Sequence, residues 1–574
     1  MSHLRTRLSL AAAFAAALLL PFCSPVHASA APTPAPTAQA FGSGKPLPLR
    51  GRVLLQKLRE HFPRMPVITQ RKALAVITDF SNAKLEDWTG PGFNDTGDIR
   101  ATLDLMETHW AWLSHGREDI DWDIIRVTLP VPLAPDAFGG WPEFRNTVAA
   151  LVRAQVDIAD YDANRDGIID SVWVIASSQG QEFDYLIGGT SSNGGVNLFV
   201  DTQANLAVTS NAYGNFNHEL AHTFGVPDLY GEFDTQHYLT LMSDSWPVPP
   251  QDFTAYERTL LGWAQPRLLG AGTHRVELRV ATRSFDVVRI DTGRPGEFFL
   301  IEYRRRPDEG FSSVAPPYDG LTVFHLQEGS NQNVDPPLMK LEPADGQINP
   351  NQAPDLTDFF YPGNPAMELP YRLHSYFAGL PVAEITNVQW AGSDRIAVDI
   401  RVLPALAPVL GNLLVRNRLE NPSFERGDGS GGPAAWFPDA FFFGTSIFDW
   451  DSGTAFRGQR SASITSPTPN DARWIQTYGN LVPGRGYQFC GRLRGRDVAT
   501  TPFATIGANV SVLGGFELSR SLSGTFDWTQ ACVVHEAATP TATYACRLGF
   551  YGSEVRGKLW CDDMSLVPLR SAFP

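Results

Sequence analysis

Before Cys490 the chain holds a single cysteine, Cys23; the other four of its five are Cys490, Cys532, Cys546 and Cys561. That scarcity excludes a disulfide framework for most of the protein. An even set confined to one region of an exported chain reads instead as two bridges stapling one domain, with three pairings open. A four-cysteine zinc site competes, but no pair has the C-x₂₋₄-C spacing such a site favours. Basic residues are in deficit too: 46 Lys and Arg stand against 61 Asp and Glu, a net charge of −15. With no basic block to neutralise phosphates, no nucleic-acid partner is expected. Long apolar runs are missing as well. Leu8–Leu20 has thirteen residues, short of the roughly 18 that a membrane span needs, and no later stretch reaches that length. No span is expected.

That apolar run follows Arg5 and Arg7 and precedes Ala28-Ser29-Ala30, a small-x-small cleavage pattern. Residues 1–30 therefore read as a signal peptide, and the mature protein as secreted and extracellular. Lipidation at Cys23, or a periplasmic location, is the lesser alternative, because Phe22 stands where a lipid anchor wants a small residue. Residues 31–70 begin with a Pro/Ala/Thr linker and continue as a basic, partly helical stretch, either a pro-segment or an N-terminal arm. The 574 residues and 43% hydrophobic content leave room for about three to four domains in the chain.

What the chain does contain centres on residues 218–228, His-Glu-Leu-Ala-His-Thr-Phe-Gly-Val-Pro-Asp. If the stretch is helical up to Gly225, His218 and His222 lie one turn apart on one face, where two imidazoles can bind one Zn²⁺. Glu219 stands beside the first ligand and can act as base on a water held by the metal. Gly225 permits a sharp turn. Asp228 then arrives where a third ligand belongs, leaving the fourth position open, as a catalytic zinc requires. Glu257, in Ala255-Tyr256-Glu257-Arg258, is the rival third ligand. Histidines of core or surface are the bland alternative, but Gly and Asp at fixed offsets make accident rare.

Strand-like runs at Ala73–Phe80, Ile125–Leu129 and Ser171–Ser177 alternate with helical spacing at Ala101–Trp112 and Phe144–Ile158. This order suggests an α/β layer with the motif helix packed on a sheet. Between helix and strand, Asp162, Asn164, Asp166 and Asp170 put side-chain oxygens at alternating positions, and Ile168 adds a carbonyl. Such a loop can wrap Ca²⁺, although Trp173 occupies the twelfth position where an EF-hand needs glutamate. An acidic turn without metal is the plain alternative.

Together these residues resemble the immune inhibitor A-type secreted metalloproteases. The likeness rests on Ile77-Thr78-Asp79-Phe80, Asp166–Asp170, His218–Tyr230, Leu241-Met242-Ser243, Leu261-Gly262-Trp263, Phe299–Arg304, Gly320–His325 and Ala344-Asp345-Gly346. It spans roughly residues 70–405. It implies a metzincin-like zinc endopeptidase, often calcium-stabilised and made as a zymogen, with Met242 as a floor beneath the metal. One departure is Ala221, where the family commonly has glycine; alanine favours helix, so the motif stands.

From about Gly270 the pattern turns to alternating strands, and Asn331–Asn364 reads as surface loops. Glu302 and His325 fall in this region as further titratable candidates. Beyond Leu403–Pro408, short strands and Gly-rich turns suggest a β-sandwich. Asn421–Glu425, Tyr487-Gln488-Phe489, Gly524–Trp528 and Trp560–Met564 resemble a galactose-binding-like jelly roll of the carbohydrate-binding-module type. Trp436, Trp450, Trp474 and Trp528 would then be sugar-stacking candidates or core, and Asp562 with Glu425 a calcium pair. The expected fold class is α+β: a metzincin-like zinc protease domain at 71–268, a β-rich accessory region at 269–405 and a jelly-roll sandwich at 412–570. The expected function is hydrolysis of protein or peptide substrates through Zn²⁺ with Glu219 as general base, Ca²⁺ being structural. The alternatives are a surface- or glycan-binding protein with a vestigial protease domain, and a zinc amidase on cell-wall substrates.

Overall fold

The computed structural model describes residues 69–571 except 88–94, 133–140, 164–166, 178–190, 194–195, 203–211, 246–250, 282, 306–318, 378, 405–416, 501–505 and 552. The expected signal peptide and nearly all of the expected linker and pro-segment lie outside the described residues. The described chain is rich in strands and has few helices.

The first sheet has the order β2-β1-β3-β5-β4. Its strands are β1 (Thr69–Asp79), β2 (Glu118–Thr128), β3 (Ile169–Ala176), β4 (Ser191–Asn193) and β5 (Val196–Thr202). β1 pairs in parallel with β2 and β3, and β3 with β5; the short β4 runs antiparallel at the edge. Parallel strands are covered on both faces, and here alternation sorts the residues. Ala73, Ala75, Ile77, Trp173, Ile175 and Phe199 enter one core; Leu74, Val76, Val172, Val174, Leu198 and Val200 enter the other. Helices α1 (Thr96–Leu113) and α3 (Ala212–Thr223) cover the first face, and α2 (Trp141–Gln155) the second. α1 begins where Asp95 accepts the amides of Gly97 and Asp98 at 2.7 and 3.0 Å, an N-cap. The expected strand at 125–129 and both expected helices are present with shifted ends, and β4 and β5 were not foreseen.

A second sheet of β6 (Arg267–Leu268), β8 (Val288–Asp291), β9 (Glu297–Arg304), β10 (Gly320–Gln327) and β11 (Met339–Leu341) has the order β11-β10-β9-β8-β6. β9 (Glu297–Arg304) is buried along its whole length. Phe298 and Leu300 join the core of the first module. Phe299, Ile301 and Tyr303 face a separate core with a sheet of β7 (Gly272–Arg279), β12 (Tyr371–His374), β13 (Pro381–Trp390) and β14 (Arg395–Val402), in the order β12-β13-β14-β7. The boundary drawn near residue 269 is therefore crossed by a continuous core. Residues 331–364 depart from the surface-loop expectation: β11 (Met339–Leu341), Leu338 and Phe359 are buried in the first core and Phe360 in the second. Apolar residues among many Pro, Asn and Asp lack a strand or helix period, which hides their burial.

Residues 417–571 form two antiparallel sheets around one core. One is β15 (Phe437–Ala440), β18 (Ala472–Tyr478), β22 (Ala542–Leu548) and β20 (Ala508–Leu513), in that order. The other is β16 (Ile447–Asp451), β17 (Ser461–Asn470), β23 (Val555–Pro568), β19 (Gly486–Thr500) and β21 (Gly524–Glu536), in that order. Cys490 pairs with Cys532 across β19 (Gly486–Thr500) and β21 (Gly524–Glu536), and Cys546 with Cys561 between the two sheets. That resolves the three open pairings into one. The sandwich is seated on the β-rich region: the Val534 amide donates to the Gly329 carbonyl at 2.5 Å, and Gln488 Nε2 to the Pro295 carbonyl at 3.1 Å. A Cβ at Gly329 would stand 2.3 Å from the Cys532 carbonyl oxygen, so glycine is required for this approach.

Candidate metal centre

α3 exists because Tyr213, Phe216, Leu220 and Ala221 repeat at three- and four-residue spacing and bury one stripe in the first core. It stops at Gly225, whose φ is +82°. The Gly225 amide donates to the His222 carbonyl at 2.9 Å and the Val226 amide to the Ala221 carbonyl at 3.2 Å, a Schellman turn. The chain then doubles back and brings Asp228 under the helix.

His218 Nε2 and His222 Nε2 each stand 3.1 Å from Asp228 Oδ1. Among the described residues, these three are the group of His, Cys, Asp or Glu side chains whose ligand atoms converge, all within 4.8 Å. Their tautomers follow from the backbone. His218 Nδ1 faces the Leu241 carbonyl at 2.9 Å and His222 Nδ1 the Val226 carbonyl at 2.7 Å. Both rings can therefore donate outward from Nδ1, with Nε2 turned to the centre. Tetrahedral ligand atoms about 2.0–2.1 Å from zinc stand about 3.3 Å from one another, so the 3.1 Å separations and the His₂Asp donor set fit Zn²⁺. Burial works against charge on His222, but hydrogen bonding to Asp228 outweighs it and its ring is pushed up. Burial likewise opposes Asp228 ionisation, yet the two histidines hold its carboxyl well below the usual range.

Glu219 is buried beside the first histidine. Arg145 on α2, itself 5% exposed, lies within electrostatic reach of Glu219; burial pulls the guanidinium down to about 10 while Glu219 opposes the shift. Nothing in the sequence singled out Arg145, since a lone arginine in a helical pattern reads as a solvated face. Tyr230, two residues past Asp228, puts its ring 6.1 Å from that of His218. Met242 is fully buried, and its carbonyl accepts the Leu229 amide at 2.9 Å, which fixes the segment next to Asp228.

The other sequence candidates are placed elsewhere. Glu257 sits in helix α4 (Ala255–Leu260), outside the converging group, and its carboxylate caps that helix on the Thr254 amide at 2.6 Å and accepts the Thr240 hydroxyl. Glu302 is enclosed by Arg304 at 3.3 Å and Arg258 at 3.6 Å. His325 lies between Glu297 and Glu342, at 3.0 Å from each. In the acidic loop, Asn164 and Asp166 lie outside the described residues. Asp162 accepts the Gly167 amide at 2.8 Å and Asp170 the Ala163 amide at 2.9 Å, and Ile168 leads into β3. Trp436 and Trp474 are core and Trp450 packs against it, so large rings that looked available for sugars mostly fill the sandwich. Asp562 accepts the amides of Phe456 and Arg457, and Glu425 those of Gln459 and Arg460, so both carboxylates close on the loop 456–460.

No family model matches this chain, and no curated protein matches it. Solved structures do. The enzymatically active domain of tailspike protein 4 of bacteriophage CBA120 is similar at 13% identity over 27% of this chain and 21% of that chain, with a TM-score of 0.21. TmCBM61 in complex with β-1,4-galactotriose is similar at 17% identity over 26% of this chain and 97% of that one, TM-score 0.19. The CBM22-1 xylan-binding domain of Paenibacillus barcinonensis Xyn10C follows at 12% identity, 26% and 93% coverage and TM-score 0.18. At these TM-scores nothing about ligand or activity in this chain follows.

Proposed function

We propose that the protein is a zinc-dependent endopeptidase of metzincin-like type, exported, with an appended glycan-binding sandwich. The observation that carries the first part is the convergence of His218, His222 and Asp228 ligand atoms within 4.8 Å, with Glu219 on the same helix. When bound, zinc supplies a Lewis acid that acidifies a water and polarises the scissile carbonyl. The chain's own contribution is positional. Leu241 and Val226 hold the two rings in one tautomer, and Asp228 completes the ligand set without rearrangement. Glu219 takes the water's proton and returns it to the leaving amine, the general base then acid. The two disulfides suit an oxidising compartment. Ca²⁺ at Asp162, Asn164, Asp166, Ile168 and Asp170 would be structural.

Casein hydrolysis with and without a zinc chelator, beside Glu219→Gln, tests this reading. Chelator-sensitive activity that the variant lacks, with zinc content unchanged, is expected. A protein that binds no zinc, or a variant with full turnover, would sink it. Hydrolysis of peptidoglycan but not casein would select the amidase instead.

A second reading, that glycan binding is the chief function, is favoured by the exposed rings of the sandwich. Phe437, Phe441, Phe442 and Phe443, on and after β15 (Phe437–Ala440), are 64%, 67%, 45% and 79% exposed. Rings left in water at such density suit stacking on sugars.

A further inference from the structure

The sandwich differs electrically from the rest of the chain. Residues 417–571 carry fourteen basic and fourteen acidic side chains, no formal net charge, in a protein whose net charge is −15. Several of those cations gather on the outer face of the five-stranded sheet. On β19, Arg492, Arg494 and Arg496 alternate with the core residue Leu493, so all three leave the sheet on the side away from the core. Across the register, Arg494 pairs with Trp560 and Arg496 with Lys558 on β23 (Val555–Pro568). Lys558 Nζ, Arg496 Cζ and Arg494 Cζ stand 4.5, 5.6 and 5.8 Å from the Trp560 ring centre, and Arg492 Cζ 4.7 Å from that of Phe456. Trp560 is fixed from below by its Nε1–H donating to Asp451 at 2.8 Å.

Two cations in this row are committed, Arg494 to Asp527 at 3.6 Å and Lys558 to Asp451 at 3.4 Å. Among the described residues no ion pair engages Arg492 or Arg496, and Arg496 is exposed. We propose that this face binds acidic polysaccharide, its carboxylate or sulfate groups meeting Arg492 and Arg496 along β19. The proposal is independent of the Phe441–Phe443 rings, which follow β15 in the other sheet.

Three features decide the class of ligand. Trp560 is only 7% exposed beneath its cations, so the face offers charge rather than a bare ring. That disfavours neutral sugar and gives no platform for stacked bases. Residues two apart on a strand are about 6.8 Å apart, so the row from Arg492 to Arg496 is about 13–14 Å long. It can meet a few anions of an extended chain, fewer than the roughly six to ten phosphates of firm nucleic-acid binding. Finally, the surrounding negative charge would repel a long polyanion but leave a short charged stretch docked on the row.

The test is calorimetry or affinity electrophoresis of the full chain with oligogalacturonate, dextran sulfate, unmodified dextran, galactan and a single-stranded oligonucleotide. Binding to either acidic glycan, weakened on raising salt, is expected, and its preference tells carboxylate from sulfate. Arg492→Gln with Arg496→Gln should weaken it about tenfold or more, while Arg418→Gln with Arg426→Gln, an equal loss of charge at exposed positions off β19, should not. Arg496→Gln alone, at an exposed position, gives a reading if the double variant folds poorly. Acidic-glycan binding that survives both variants overturns the proposal, as does an oligonucleotide that binds as tightly. Galactan or dextran binding without acidic-glycan binding overturns it too, yet leaves the glycan-binding reading of the sandwich standing. Binding of no polysaccharide removes both.

Discussion

The Glu257 carboxylate accepts the hydroxyl of Thr240, the residue before Leu241, whose carbonyl holds the His218 ring at 2.9 Å. A residue that the sequence offers as a metal ligand is thus a prop for the segment that orients His218, a proposed one. Glu257→Ala should keep one zinc per chain, weaken its affinity roughly 10–100-fold and cost about 1 kcal/mol of stability through the lost cap. Asp228→Ala should strip the zinc at free concentrations that saturate the parent. Metal analysis after chelator competition checks both. The reverse pattern, zinc lost from the Glu257 variant and kept by the Asp228 one, would restore Glu257 as the ligand.

Gly225 lies in the left-handed region at φ +82°, and an added Cβ there meets nothing within 4 Å. The penalty for a side chain is therefore backbone strain alone, about 1 kcal/mol for alanine and less for asparagine. Because the turn aims Asp228, Gly225→Ala should also loosen zinc binding, whereas Gly225→Asn should do so less. Urea midpoints and zinc competition measure the two effects. An alanine variant as stable as the parent would mean that the helix ends in some other way.

How far the sequence discloses this molecule depends on how local each signal is. The His218–His222 spacing is local: the helix period alone puts both imidazoles on one face, so that pair and the adjacent Glu219 are legible residue by residue. The strands of the first sheet are legible as apolar runs, but short ones such as β4 carry too few residues to show a period. Glu257 and Asp228 cannot be told apart by spacing, because what occupies a carboxylate is decided by Thr240 and Thr254, a tertiary fact. Arg145 comes within electrostatic reach of Glu219 although α2 and α3 cover opposite faces of the first sheet, a tertiary fact that no local spacing carries. The tryptophans mislead for a physical reason: Trp436 and Trp474 are as suited to a sandwich core as to a sugar.

Asp162 and Asp170 accept amides across the acidic loop, at 2.8 Å from Gly167 and 2.9 Å from Ala163. A carboxylate oxygen that accepts an amide can still be shared with an ion. Calcium at 100 times its Kd should therefore stabilise the fold by about 2.7 kcal/mol, read as a rise in Tm that a chelator reverses. Asp162→Asn should shrink the rise without changing zinc content. A Tm insensitive to calcium would mean that the loop closes on its own hydrogen bonds.

His325 supplies the clearest pH dependence. Its ring is fully buried, bridges Glu297 on β9 and Glu342 at 3.0 Å each, and stacks on Tyr376 at 3.7 Å. Lys340 on β11 and His374 on β12 (Tyr371–His374) also act on Glu342. Burial lowers the His325 ring, but the two carboxylates outweigh it and the net shift is upward from 6.5. Burial opposes ionisation of Glu342, yet Lys340 and His325 pull it from 4.5 down to about 2. The raised histidine stabilises fully below its unfolded value and loses that contribution as pH rises through its folded one. The depressed glutamate stabilises above its unfolded value and loses that contribution as pH falls towards about 2. Both contributions overlap between about pH 4.5 and 6.5, where thermal stability should peak. His325→Gln should flatten the alkaline side of that profile and lower Tm by several degrees, since it leaves two buried carboxylates without their cation. A variant whose Tm falls off above pH 6.5 as steeply as the parent's would assign the dependence to other groups.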